Sequence, residues 1–141
     1  MGNVQQIKKL NFEDMQMAQK APEIYILINT LPNDRQECLI SNTISSSHEE
    51  EIVNRFIKTN LDVQIILYGQ HANDESVYRK YQQLTTLGFR RVFIYAGGLF
   101  EWLMLQNLYD EHLFPTTRKE VDLLKYKPKS LFTNTLLHAR S

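Results

Sequence analysis

Three groups of residues in this chain have the types that chemistry needs. The first is the stretch Gly69-Gln70-His71-Ala72-Asn73-Asp74-Glu75, where an imidazole lies within four positions of two carboxylates. His71 with Asp74 or Glu75 could work as an acid/base pair, because a neighbouring carboxylate tunes an imidazole for proton transfer near neutral pH. The competing reading is stronger. It makes Asn73 or Asp74 the N-cap of a following helix, sets Asp74 and Glu75 at the helix's positive end, and leaves His71 as a solvated loop residue. The second group is Cys38, the chain's single cysteine. One thiol excludes an intramolecular disulfide and a cysteine-based metal cluster, and its simplest role is a small buried group. The third is Gly97-Gly98, which lacks the third glycine or following Lys-Ser/Thr of a phosphate loop and reads as a tight turn. His48, His71, His112 and His138 show no ligand spacing such as His-x-x-x-His, so neither a metal nor a cofactor is expected.

The elements that must position these residues follow from the apolar pattern. Ile24 to Ile28, Ile65 to Tyr68 and Arg91 to Tyr95 are short, nearly continuous apolar runs, the signature of strands buried on both faces. Helices are expected between them. Asn11 can cap one from Phe12 to about Gln19; Ser47 with Glu50 forms a capping box for one running to about Thr59 with Ile52, Val53, Phe56 and Ile57 on its inner face. Val77, Tyr81, Leu84 and Leu87 share a face of a third helix from about Asp74, which Gly88 stops. Leu99 to Tyr109 is a fourth, apolar on more than one face. Leu39 to Ile44 has minor strand character. Strand and helix alternate, which implies a parallel sheet covered by helices, with functional loops at the strands' carboxyl ends.

Charge and length set further bounds. Lys plus Arg and Asp plus Glu are 16 each in 141 residues, so no global field favours nucleic acid or an anionic membrane. No run approaches the roughly 18 apolar residues of a membrane span. A soluble, cytoplasmic domain is expected, with residues 1–11 as an N-terminal arm, 12–114 as the domain and 115–141 as a basic tail. From Arg118 to Ser141 there are six basic residues against two acidic ones. The tail therefore either solvates or docks on an acidic surface, and Thr117 with Glu120 could cap a short helix in it. The extra apolar face of the Leu99–Tyr109 segment is to be covered by this tail or by a second copy in a homodimer.

The order of these features resembles the rhodanese-like domain family. Tyr68-Gly69 after a buried strand, Leu84-Thr85-Thr86-Leu87-Gly88-Phe89, and the string Tyr95-Ala96-Gly97-Gly98-Leu99-Phe100-Glu101-Trp102 are similar to that family's second half. Leu27-Ile28-Asn29-Thr30 and Ile40-Ser41-Asn42-Thr43-Ile44 stand where its first half has Leu-Ile-Asp-Val and Ile-Pro-Gly-Ala-Ile. Residues 12 to about 108 are covered. The resemblance implies a three-layer α/β/α fold with a central, mainly parallel sheet. Members that transfer sulfur carry a cysteine directly after the strand, in a Tyr-Cys-x-x-Gly-x-Arg-Ser pattern whose loop N–H groups cradle the thiolate and its persulfide. Gly69 stands at the cysteine's position, Ala72 at the glycine's, Asp74 at the arginine's and Glu75 at the serine's. Phe114-Pro115-Thr116-Thr117 and Leu124-Lys125-Tyr126-Lys127-Pro128 resemble a subgroup without the cysteine.

Gly69 cannot attack a substrate, and carboxylates at the loop mouth would repel thiosulfate or phosphate. The expectation is an inactive module that binds a protein, or a small ligand other than an anion, through its surface or through the loop Gly69, Gln70, His71, Ala72, Asn73, Asp74 and Glu75. An enzyme with chemistry relocated to Cys38, or to His71 with Asp74 or Glu75, is the alternative.

Overall fold

Along Ile65 to Tyr68 successive side chains are buried on opposite sides of one sheet, Ile65 and Leu67 in one apolar cluster and Ile66 and Tyr68 in another. That two-sided burial is why the run is continuously apolar. The computed structural model describes residues 6–132. Its sheet has five parallel strands in the order β1-β5-β4-β2-β3: β1 is Lys8–Leu10, β2 Tyr25–Asn29, β3 Thr43–Ile44, β4 Gln64–Tyr68 and β5 Arg91–Tyr95. Three helices lie between strands, α1 Phe12–Gln19, α2 Ser46–Thr59 and α3 Glu75–Thr86, and a fourth, α4 Gly98–Leu108, follows β5. Helices α2 and α3 pack one face through Val53, Val77 and Leu84; α1 and α4 pack the other through Met15, Ala18, Leu99, Trp102 and Leu103. The expected three-layer α/β/α architecture is present.

Helix ends follow from local sequence, with one correction. Asn11 caps α1 in a reciprocal box with Asp14, its side chain accepting from the Asp14 N–H at 2.9 Å and its own N–H donating to Asp14 at 3.2 Å. Helix α3 ends on Gly88 at φ 110°, where the Gly88 N–H reaches Thr85 and the Phe89 N–H reaches Leu84, while the Leu84 and Phe89 side chains join the same apolar cluster. Helix α2, by contrast, has no Ser47–Glu50 box. Its N-cap is Ser45, without a side-chain cap bond, and the Ser46 N–H is taken by Gln36 Oε1 at 2.9 Å. Ser47 instead meets Ser45 and His48.

The two ends of the chain depart from the sequence reading. Within the stretch read as an arm, Lys8–Leu10 forms an edge strand beside β5; three residues with two lysines carry too little apolar pattern to announce a strand. Thr117 and Glu120 begin no helix. Thr117 makes side-chain and backbone bonds to Leu39, and a single 3₁₀ turn at Leu123–Tyr126 follows. Segment 114–126 crosses the α1/α4 face as a strap, burying Phe114 and Tyr126 and pairing Thr116 with Ile40 in an antiparallel bridge. Trp102 Nε1 donates to Pro115 at 3.1 Å, and the Trp102 ring meets Phe114 edge-on at 5.1 Å. The strap thus covers the inner part of α4, while Met104, Leu108 and Tyr109 stay exposed. His138 and Arg140, part of the predicted basic tail, lie outside the described residues.

Candidate functional site

Strand order reverses between β2 and β4, which lie side by side, so the crevice of this sheet opens at the carboxyl ends of those strands, at Asn29 and Tyr68. Two features meet there: the loop from Gly69 to Asp74, and a groove between α2 and α3.

The loop is filled by its own chain. Asp74 caps α3, but its carboxylate also turns inward: Oδ2 accepts the Gln70 N–H at 2.9 Å, and Oδ1 accepts the Ser76 N–H at 3.1 Å and lies 2.6 Å from the Ser76 hydroxyl. A carboxylate held by backbone N–H groups at a helix start is what an anion bound there would look like. Asp74 therefore does not stand at the loop mouth, as the sequence reading placed it. A Cβ built on Gly69 would come within 2.5 Å of Asp74 Oδ2 and 2.6 Å of Val77 Cγ2, so the space a side chain at this position needs is already taken.

Other elements lock the loop. The first N–H groups of α4 point at its carbonyls, Leu99 to Gly69 at 2.9 Å and Phe100 to Gln70 at 2.8 Å. This approach explains Gly98: at φ 70° it sits where a Cβ would lie 2.8 Å from Gly69 O and His71 N. Tyr95 donates to Glu101 at 2.7 Å, and the Glu101 carboxyl folds over Gly97, where a Cβ would fall 2.4 Å away. The spacing of Tyr95, Gly97, Gly98, Glu101 and Trp102 is thus a packing solution around the loop and strap. Arg35 ties both together, donating to Gln70 Oε1 and to Lys125 O at 2.7 Å each, with its guanidinium over the Tyr126 ring.

The remaining predicted residues are scattered. His71 Nδ1 accepts the Asn73 N–H at 3.1 Å, a bond inside the loop, while both Asp74 oxygens are engaged with Gln70 and Ser76. Ala72 and Asn73 are exposed, and Glu75 is exposed beside Arg79 on its own helix. Cys38 is buried under the strap with its thiol donating to Arg118 O at 3.2 Å, and burial raises its pKa. Among the described residues no group of three His, Cys, Asp or Glu side chains is placed to hold a metal, and no helix is long and apolar enough to cross a membrane. Thr30 and Ser76, whose hydroxyls lie 2.8 Å apart, and Arg35 were not foreseen as loop partners. The Asp74-x-Ser76 spacing is an Asx-turn signal that could have revealed the inward carboxylate; Arg35, 90 residues from Lys125, has no local signal.

The groove differs. It has a volume of about 730 Å³ and is lined by one stripe of each helix, with Asn29, Thr30 and Leu31 at its loop end.

This sheet, loop and helix arrangement is that of a known family. The rhodanese-like domain model matches residues 24–105, more than half of the chain, and the chain belongs to that family. Among solved structures it is similar to the Alr3790 protein from Anabaena sp., at 16% identity over 94% of each chain and a TM-score of 0.58. It is also similar to a thiosulfate sulfurtransferase from Pseudomonas aeruginosa, at 18% identity over 96% of this chain and 27% of that one, TM-score 0.56. A single-domain sulfurtransferase from Saccharomyces cerevisiae matches at 17% identity over 77% of this chain and 98% of that one, TM-score 0.54. At these identities the likeness is one of fold. Among curated proteins, none matches the sequence.

Proposed function

We propose that this rhodanese-like domain is a catalytically inactive module that binds a protein or a small ligand. One observation carries the reading: the Asp74 carboxylate accepts the loop's Gln70 N–H and stands within 2.5 Å of the place where a side chain at position 69 would begin. A loop that spends its N–H on an internal anion, and has glycine where the family resemblance calls for a nucleophile, lacks both the attacking group and the cradle. Cys38 offers no substitute, since a thiol whose pKa is raised by burial holds little of the reactive thiolate.

The test is thiosulfate:cyanide sulfur transfer by the full chain, with no thiocyanate formed above the protein-free rate as the expected result. Turnover that disappears in Cys38→Ala would establish relocated chemistry instead. Alkylation of Cys38 by iodoacetamide should proceed only as fast as the strap opens. The linkage has a definite sign. A thiol with a raised folded pKa contributes stability below the unfolded pKa, and that contribution is lost as pH climbs through the folded value. As a companion, Gly69→Cys alone collides with Asp74, whereas Gly69→Cys with Asp74→Arg removes the carboxylate; sulfur loading of the double variant alone is the outcome this reading expects.

The exposed outer end of α4, with Met104, Leu108 and Tyr109, is the surface we assign to a homodimer. Light scattering that gives a monomer at all concentrations would remove that assignment.

A further inference from the structure

The strap has two halves of unlike attachment. Residues 114–117 are knitted into the body: the Ser41 N–H donates to Pro115 at 3.1 Å, the Thr117 N–H to Leu39 at 2.8 Å and Gln106 Nε2 to Phe114 at 2.8 Å. From Arg118 to Tyr126 the polar groups turn mostly to one another. The Asp122 N–H reaches Glu120 Oε2 at 3.2 Å, the Lys125 N–H reaches Asp122 at 3.4 Å, and the Lys125 ammonium pairs with Glu120. Val121 and Leu124 are exposed. A cavity of about 200 Å³ lies between this half and the body, lined by Arg35, Glu37 and Cys38 on one side and by Arg118, Glu120 and Lys125 on the other. Lifting this half therefore widens an existing space, and local openings of that kind lie at the low end of a protein's stability range.

The end of the strap is what closes it. Tyr126 is buried in the α1/α4 apolar layer and Leu123 packs against that layer. Arg35 Nη1 donates to Lys125 O at 2.7 Å, with the guanidinium 5.6 Å from the Tyr126 ring. The same nitrogen lies 2.7 Å from Gln70 Oε1, in the loop after β4. The two N–H bonds of one planar nitrogen point in fixed directions, so the guanidinium serves Lys125 best in the orientation that also serves Gln70. Without Gln70 the long side chain regains rotamers, and fixing it on the strap costs more.

We propose that Arg35 couples the loop to the far half of the strap, so that the state of Gln70 sets how readily the Cys38 cavity opens. A ligand that draws the Gln70 amide away loosens the strap, and by linkage an open strap favours that ligand to the same extent. The coupling goes beyond the binding-module reading and does not rest on it, since it requires neither sulfur transfer nor its absence.

Cys38 reports the opening because it is the chain's single thiol and lies buried beside Arg118, whose carbonyl accepts from it at 3.2 Å. The experiment follows iodoacetamide alkylation of the full chain by mass spectrometry at fixed pH. Arg35→Ala should speed it about tenfold and Gln70→Ala about threefold, the sizes expected for losing a charge-assisted hydrogen bond and for partly releasing one. In the double variant Gln70→Ala should add nothing to Arg35→Ala, because its effect travels through the guanidinium. Urea midpoints on the same variants separate strap opening from unfolding of the whole chain. An unchanged rate in either single variant overturns the proposal, as does a Gln70→Ala effect that persists without Arg35, or rates that follow the midpoints alone. Thiocyanate formation would sink the inactivity reading and leave this coupling standing. Independent effects of the two substitutions, with no thiocyanate formed, would do the reverse.

Discussion

The loop after β4 and the groove between α2 and α3 share an end of the same two strands, and Ser76 belongs to both, yet they have opposite designs. The loop has its polar groups spent internally: on Asp74, on the first N–H groups of α4, and on Arg35. The groove leaves Glu50 and Leu87 exposed, with the core residues Val53 and Leu84 along its floor. In the loop, the carboxylate that caps the next helix takes the space beside Gly69, while the groove stays open at the surface.

Substitutions can break this contrast, and their effects should fall in a definite order. Gly98→Ala should be the most damaging, since it combines an unfavourable positive φ with overlap on the loop backbone; a loss of about 3 kcal/mol, read from urea midpoints, is expected. Gly69→Ala should lose about 2 kcal/mol by colliding with Asp74 and Val77. Paired with Asp74→Ala it should lose less than the sum of the two single changes, and strict additivity would mean that the carboxylate does not occupy that space. Asp74→Ala alone removes an N-cap and should lose about 1 kcal/mol, with faster amide exchange at Gln70 and Ser76. Leu87→Asp and Glu50→Lys, on the open groove, should each stay within about 0.5 kcal/mol of the parent. A groove variant as costly as a loop variant would show that the groove wall is structural packing and not a surface held open.

Much of the fold was legible because its evidence is local. The strand Gln64–Tyr68, the Asn11 cap and the Gly88 stop each depend on residues within a few positions. The α2 start was misplaced because its first N–H is satisfied by Gln36, ten residues away, and not by the nearby Ser47. Strand β1 exists because β5 offers it an edge, and three residues cannot signal that. At the site, the sequence identified the loop and the glycine in it. It could not tell whether Asp74 faces solvent or turns inward, since both use the same capping residue. Thr30 and Arg35 come from other loops and are joined to Gln70 and Ser76 only by the fold.

The strap has a consequence for the order in which this chain can become a finished molecule. The apolar layer on the α1/α4 side includes Phe114 and Tyr126, and Trp102 satisfies its indole N–H on Pro115. During synthesis that layer must wait for residues the ribosome adds late, while the α2/α3 layer, complete by Ile94, can consolidate earlier. Nascent chains halted near residue 108 would present an unfinished hydrophobic face to chaperones. A fragment cut at the family-matched limits, residues 24–105, would do so permanently, having neither β1 nor the strap.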